Sequence, residues 1–114
     1  MVAENLTQKQ RLDGLLINAI EEAAEVAQIA SKCLRFGMDS YDPNDPDKTE
    51  NSVLLAQELG NLRYIQEQLL LYGHIRIDDL HDGQRQKFAR LQKYPLIIPK
   101  EEKNHGESSP KKSA

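Results

Sequence analysis

Acidic side chains occur at helical spacing inside an apolar stretch of the chain, residues 20–36. Glu22 and Glu25 are three residues apart, and Glu21 precedes Glu25 by four. On a helix with 3.6 residues per turn, these carboxylates lie close together and repel one another. Carboxylate oxygens are also the ligands that Mg²⁺ and Mn²⁺ prefer in proteins. The spacing therefore favours a bound cation, with a solvated acidic face as the alternative.

A second apolar segment, residues 53–71, carries a similar pair of oxygen-bearing side chains. Glu58 and Asn61 lie three residues apart within it. If the two segments form helices that pack antiparallel, two pairs of side chains converge on one point. The predicted metal ligands are Glu22, Glu25, Glu58 and Asn61.

Length and composition indicate one all-α domain, an antiparallel bundle of about three main helices. The chain has 114 residues, no Trp, two Phe and four Tyr, and its β-branched residues form no alternating runs. A core of this size is small, so we expect oligomerisation to complete it. We expect the domain to span residues 1–95 and a disordered polar tail to span residues 96–114.

Charge and cysteine content argue against some classes of function. The net charge is −3 at pH 7, and basic residues are scattered except in the tail. This pattern argues against binding of a nucleic-acid polymer through a positive surface. Cys33 is the one cysteine, and no segment resembles a signal peptide or reaches transmembrane length. We therefore expect a cytoplasmic protein that does not associate with membranes.

The first helix has clear predicted ends. Thr7 and Gln10 match the pattern of a capping box, so the helix should begin near Gln8. Gly37 follows the last apolar residues and should end it. Asp, Asn and Pro dominate residues 38–48, which predicts a loop built from turns.

Two further helices are predicted after this loop. Thr49 or Asn51 is expected to cap the second helix, and Asp78 or Asp79 is expected to cap the third. The third should end just before Pro95, because the residue preceding a proline disfavours helical geometry.

The segments Glu21-Glu22-Ala-Ala-Glu25 and Glu58-Leu-Gly-Asn61 resemble the motifs of the MazG-like all-α nucleoside triphosphate pyrophosphohydrolases, in their short bacterial and phage form. The resemblance covers residues 12–95. It implies a helical core that assembles as a homodimer or homotetramer. It also implies hydrolysis of a nucleoside or deoxynucleoside triphosphate between its α and β phosphates, which gives a monophosphate and pyrophosphate.

The resemblance also assigns roles to the acidic residues. Glu22, Glu25 and Glu58 correspond to metal ligands, whereas Asn61 stands where the family usually has Asp. Two or more Mg²⁺ ions would hold the substrate, with Mn²⁺ as the alternative cation. The candidate catalytic residues are Glu21, Glu22 and Glu25, of which Glu21 or Glu25 would orient the attacking water.

Three basic residues are candidate phosphate contacts. Lys32 lies two turns beyond Glu25 on nearly the same face, and Arg35 follows it. Lys87 lies in the predicted third helix. Solvated surface charge is the alternative for all three.

Two other functions stay open. The first is a non-catalytic helical oligomer that binds nucleotide or a protein partner and has lost activity through Asn61. The second is a phosphoribosyl-ATP pyrophosphohydrolase of the same superfamily, which the short MazG-like pattern fits less well.

Overall fold

The computed structural model describes residues 5–93, and this part of the chain is helical without strands. Helix α1 spans Gln8–Phe36, α2 spans Asn51–Leu71 and α3 spans Ile77–Lys93. The predicted all-α class with three helices is confirmed. Among the described residues, no helix combines the length and the hydropathy needed to cross a membrane.

The chain divides into two compact units, Met1–Ile75 and Arg76–Ala114. The first unit contains α1 and α2, and the second contains α3. The predicted tail, residues 96–114, and the predicted helix stop at Pro95 lie outside the described residues.

Helix α1 begins and ends where the sequence predicts. The Thr7 hydroxyl accepts a hydrogen bond from the Gln10 N–H, and the Gln10 side chain accepts one from the Thr7 N–H, each over 3.0 Å. These two bonds complete a capping box. Gly37 follows the last turn with a φ of 103°, a region that favours glycine. Its N–H donates to the Cys33 carbonyl over 2.9 Å.

Helices α1 and α2 pack against each other as an antiparallel hairpin. Ile29 on α1 and Ile65 on α2 are its most buried apolar residues, at 6% and 9% exposure. Where the chain enters α1 and leaves α2, the Arg11 guanidinium lies 4.4 Å from the centroid of the Tyr72 ring. The hairpin thus has a small apolar core that an aromatic contact closes at one end.

The start of α2 differs from the prediction. Its N-cap is Glu50, not Thr49 or Asn51, and no side chain caps the helix. Asn51 is instead the first residue of α2 and is buried. Its Nδ2 donates to the Gly37 carbonyl over 3.0 Å, so this amide joins the end of α1 to the start of α2.

The connection between α1 and α2 is built from turns, as the composition of residues 38–48 predicts. Asp42 and Asp45 each accept a hydrogen bond over 2.9 Å from the N–H two residues later, and Asp45 accepts another over 2.9 Å from the Thr49 N–H. These backbone donors, Thr49 first and Asp47 second, hold the pKa of Asp45 below its ordinary value.

Helix α3 begins two or three residues earlier than predicted. Ile77 is its first residue, so Asp78 and Asp79 lie in its first turn and neither is the N-cap. Their charges still favour the helix, because the first turn carries the positive end of the helix dipole. Arg90 and Lys93 occupy the last turn, and no residue of α3 is buried.

Candidate functional site

Helices α1 and α2 bring three carboxylates together. Glu22 and Glu58 are half-buried between the two helices, and Glu25 is exposed beside them. One oxygen from each residue lies within 4.8 Å of the oxygens of the other two. We call Glu22, Glu25 and Glu58 the carboxylate cluster; its role as a metal site stays a prediction.

Helical periodicity explains why two of these charges point inward. Ala19 and Val26 lie one turn before and one turn after Glu22, and all three are half-buried on the face of α1 that meets α2. Leu62 stands in the same relation to Glu58 on α2. An apolar side chain would pack better at either position, since removing a carboxylate from water is unfavourable. Packing alone therefore does not account for Glu22 and Glu58.

The surroundings raise the pKa of two members of the cluster. For Glu22 the largest cause is burial, followed by the hydrogen bond to Glu58 and the charge of Glu58, while the Asn61 amide acts in the opposite direction. For Glu25 the largest cause is the hydrogen bond to Glu58, followed by the charges of Glu58 and Glu22. The cluster thus favours a bound positive charge, supplied by a proton or by a cation.

One oxygen of the cluster lacks a partner. Glu22 Oε1 is buried and has no hydrogen-bond partner among residues 5–93. Buried polar atoms are normally hydrogen-bonded, so this oxygen requires an explanation. A divalent cation among the three carboxylates would satisfy it and offset most of their negative charge. Because the donors are hard oxygens, they suit Mg²⁺ or Mn²⁺ better than Zn²⁺.

Asn61 is the fourth predicted ligand, and its side chain contacts the cluster at Glu58. Its Nδ2 donates to Glu58 Oε1 over 3.4 Å, a long and weak hydrogen bond. An Asp at this position would bring a negative charge in place of this donor. Asn61 therefore relieves part of the repulsion that the carboxylates exert on one another.

A cavity of about 170 Å³ adjoins the cluster between α1 and α2. Lys32, a predicted phosphate contact, is half-buried in its wall. Gln28 and Leu54 also line the cavity, and neither is among the predicted site residues. The spacing of Gln28, three residues after Glu25 and four before Lys32, is the signal that identifies it. The full lining is Glu25, Gln28, Ile29, Lys32, Leu54 and Glu58.

Within the first unit, two predicted residues, Glu21 and Arg35, belong neither to the cluster nor to its cavity wall. Glu21 is exposed, although its charge helps to raise the pKa of Glu22. Arg35 is exposed, and its guanidinium lies 5.0 Å from the centroid of the Phe36 ring. Lys87 lies on α3 in the second unit, and its role stays a prediction.

Comparison with protein-family models, with curated proteins and with solved structures finds no significant match to this chain. The resemblance to the MazG-like enzymes therefore stays a prediction that depends on the order and spacing of a few motifs. The carboxylate cluster does not depend on that resemblance, because it follows from the coordinates of α1 and α2.

Proposed function

We propose that the chain is a metal-dependent nucleoside triphosphate pyrophosphohydrolase whose cations bind at Glu22, Glu25 and Glu58. The convergence of these three carboxylates within 4.8 Å carries the proposal. A buried carboxylate oxygen without a partner and two raised pKa values support a cation at this point. The motif resemblance supplies the reaction class.

The charge of the substrate supports the requirement for metal. A triphosphate carries about four negative charges, so it cannot approach a carboxylate cluster without divalent cations between them. Lys32 lines the adjoining cavity, where its ammonium can donate charge-assisted hydrogen bonds to phosphate oxygens. The cavity, at about 170 Å³, is smaller than the roughly 300–1,000 Å³ of a typical ligand pocket. The cavity would therefore hold phosphate, with the sugar and base outside it.

The proposed reaction is an in-line displacement at the α phosphorus. A water oxygen attacks that phosphorus, and the bond to the oxygen that bridges the α and β phosphates breaks, so that pyrophosphate leaves. Two or more bound Mg²⁺ or Mn²⁺ ions would lower the pKa of the water and offset phosphate charge. Glu25, exposed and with a raised pKa, would orient the water and accept its proton, with Glu21 as the alternative. Lys32 would offset charge on the departing pyrophosphate.

The test is release of pyrophosphate and orthophosphate from a panel of canonical and modified ribo- and deoxynucleoside triphosphates with Mg²⁺ or Mn²⁺. Glu22→Gln and Glu25→Gln should each lower pyrophosphate release at least a hundredfold, because each removes a carboxylate of the cluster. Glu67→Gln is the matched control, since Glu67 is exposed on α2 and pairs with Arg63. Absence of pyrophosphate release from folded wild-type protein across the whole panel would overturn the proposal.

A second candidate function is a non-catalytic oligomer that binds nucleotide or a protein partner. One observation favours it: the Asn61 amide donates to Glu58, whereas the family's Asp would add a carboxylate there. Asn61→Asp separates the two functions. A large gain of pyrophosphate release from an inactive wild type supports the non-catalytic oligomer. An active wild type that changes little supports the enzyme.

Assembly as a homodimer or homotetramer belongs to the same proposal. Ile29 and Ile65 are the buried apolar residues in the described part of the chain. So small a core gives little stability to a single chain. Further burial of apolar surface between subunits would complete the antiparallel bundle.

A further inference from the structure

Helix α1 carries a second set of apolar residues, apart from the face that meets α2. Ile20 and Leu34 are the most exposed members, at 70% and 89%. At about 100° per residue, this set lies on roughly the opposite side of α1 from Glu25 and Lys32. A helix that is apolar over so much of its circumference usually packs against more than one neighbour. The set, called the apolar stripe below, consists of Leu16, Ile20, Ala23, Ala27 and Leu34, all exposed.

The apolar stripe is arranged symmetrically about the middle of α1. Leu16 and Leu34 lie nine residues on either side of Glu25, and Ala23 and Ala27 lie two residues on either side. If two copies of α1 meet antiparallel at the level of Glu25, Leu16 of one copy lies beside Leu34 of the other. The two alanines then meet at the centre, where small side chains allow the backbones to approach closely. A two-fold interface requires this kind of self-complementary surface.

The same register matches a large residue with a small one. Ile20 and Ala30 lie five residues on either side of Glu25, so Ile20 of each copy lies at the same level as an alanine of the other. On α2, Leu59 and Asn61 lie on opposite flanks of the helix. Leu59 is 47% exposed, so α2 also presents an apolar side chain on its flank away from Asn61.

Charges beside the apolar stripe favour the antiparallel orientation. Asp13 and Arg35 are both exposed and lie on the same flank of the stripe. In the antiparallel register, Asp13 of one copy and Arg35 of the other differ by about 3 Å along the helix axis. Two-fold symmetry forms this pair twice, in addition to the Lys9–Asp13 pair within each helix. A parallel arrangement would instead place Asp13 beside Asp13.

We propose that the apolar stripe binds a second copy of this chain through an antiparallel, two-fold contact between α1 helices, centred at the level of Glu25. The contact extends along about 27 Å of α1, from Leu16 to Leu34, at a rise of 1.5 Å per residue. The carboxylate cluster lies on the other side of α1. The contact therefore does not depend on the proposed enzymatic function.

Two exposed isoleucines give a matched test of this contact. Ile20 lies about 30° from the centre of the apolar stripe and Ile17 about 90° from it, and Ile17 is 56% exposed. Light scattering after size exclusion should give the wild type twice the chain mass of 13.0 kDa, or an even multiple of it. Ile20→Arg should halve that mass and Ile17→Arg should preserve it, with helical circular dichroism unchanged in both. A monomeric wild type, or equal effects of the two substitutions, would overturn the proposed contact.

Disulfide cross-linking tests the register itself. In a Cys33→Ser background, Leu16→Cys protein is mixed with Leu34→Cys protein under mild oxidation. The antiparallel register puts positions 16 and 34 of opposite copies side by side, but separates two positions 16, or two positions 34, by about 27 Å. A covalent dimer should form in the mixture and in neither protein alone. A covalent dimer from either protein alone, or none from the mixture, would overturn the register.

Discussion

Glu22 on α1 and Glu58 on α2 face each other between two helices whose neighbouring contacts are apolar. Burial of Glu22 and the neighbouring Glu58 carboxylate both make the charge of Glu22 less favourable. The pair therefore opposes folding at neutral pH unless a cation is bound. If these two positions bind the proposed cation, they do so at a cost in stability, as is common at functional sites.

Glu22→Gln should stabilise the metal-free protein at neutral pH. The pKa of Glu22 in the folded state lies above the ordinary value of 4.5, so its charge destabilises the fold above the folded-state pKa and has no effect well below 4.5. The variant should unfold a few degrees above wild type at pH 7, and this difference should vanish as the pH falls below 4.5. Thermal unfolding in chelator across this pH range measures it. Glu67→Gln is the control and should give no pH-dependent rise in unfolding temperature. A similar rise in this variant would mean that the charge of Glu22 is not the cause.

Divalent cations should raise the free energy of unfolding of the wild type, and the gain should grow with the logarithm of cation concentration above Kd. At 100 times Kd the gain is about 2.7 kcal/mol, if the cation binds the folded state alone. Glu58→Gln and Glu25→Gln should lose most of this gain, because each removes one of three ligands. Titration of the unfolding temperature with Mg²⁺ and Mn²⁺ measures the loss. If Glu58→Gln kept the full rise in unfolding temperature with added cation, the cation would bind at another site.

Asn61→Asp should strengthen cation binding and weaken the metal-free fold. The substitution exchanges the amide that donates to Glu58 for a fourth carboxylate, so both repulsion and ligand charge increase. Calorimetric titration should show a lower Kd for Mn²⁺, and unfolding in chelator should show a lower stability of the metal-free protein. Asn61→Ala removes the donor without adding charge and is the control. Unchanged Mn²⁺ affinity in Asn61→Asp would place position 61 outside the ligand set.

The sequence predicts those features that depend on local spacing. Thr7, Gln10 and Gly37 fix both ends of α1, because a capping box and a C-terminal glycine act within one helical turn. The approach of Glu22 and Glu25 follows from a three-residue step on one helix. These predictions require no knowledge of how α1 and α2 are arranged.

Features that depend on contacts between distant residues are not predicted. Asn51 has the side chain of an N-cap, yet its amide turns inward to the Gly37 carbonyl, 14 residues earlier in the chain. Leu54 enters the cavity wall because α2 packs antiparallel to α1, which no local pattern encodes. Long-range packing decides the position of both side chains.

Ile65→Ala should destabilise the protein by about 2–5 kcal/mol, the usual effect of truncating a buried isoleucine. Ile65 is one of two buried apolar residues in the described chain, so neighbouring side chains have little scope to fill the space. Ile17→Ala, at an exposed site off the apolar stripe, should change stability by less than about 0.5 kcal/mol. Urea unfolding at fixed protein concentration measures both. Equal values would mean that the core lies elsewhere than between α1 and α2.

Lys32→Met should weaken nucleotide binding without weakening cation binding. Lys32 lines the cavity beside Glu25 and Glu58, so its positive charge would attract a phosphate bound there. Loss of a charge-assisted hydrogen bond of about 1.5–3 kcal/mol corresponds to roughly a tenfold to hundredfold rise in Kd for a triphosphate. Arg35→Met is the matched control, because Arg35 is exposed and does not line the cavity. Calorimetry with a non-hydrolysable triphosphate and Mg²⁺, and with Mn²⁺ alone, separates the two kinds of binding. A larger effect from Arg35→Met would move the phosphate site to the exposed end of α1.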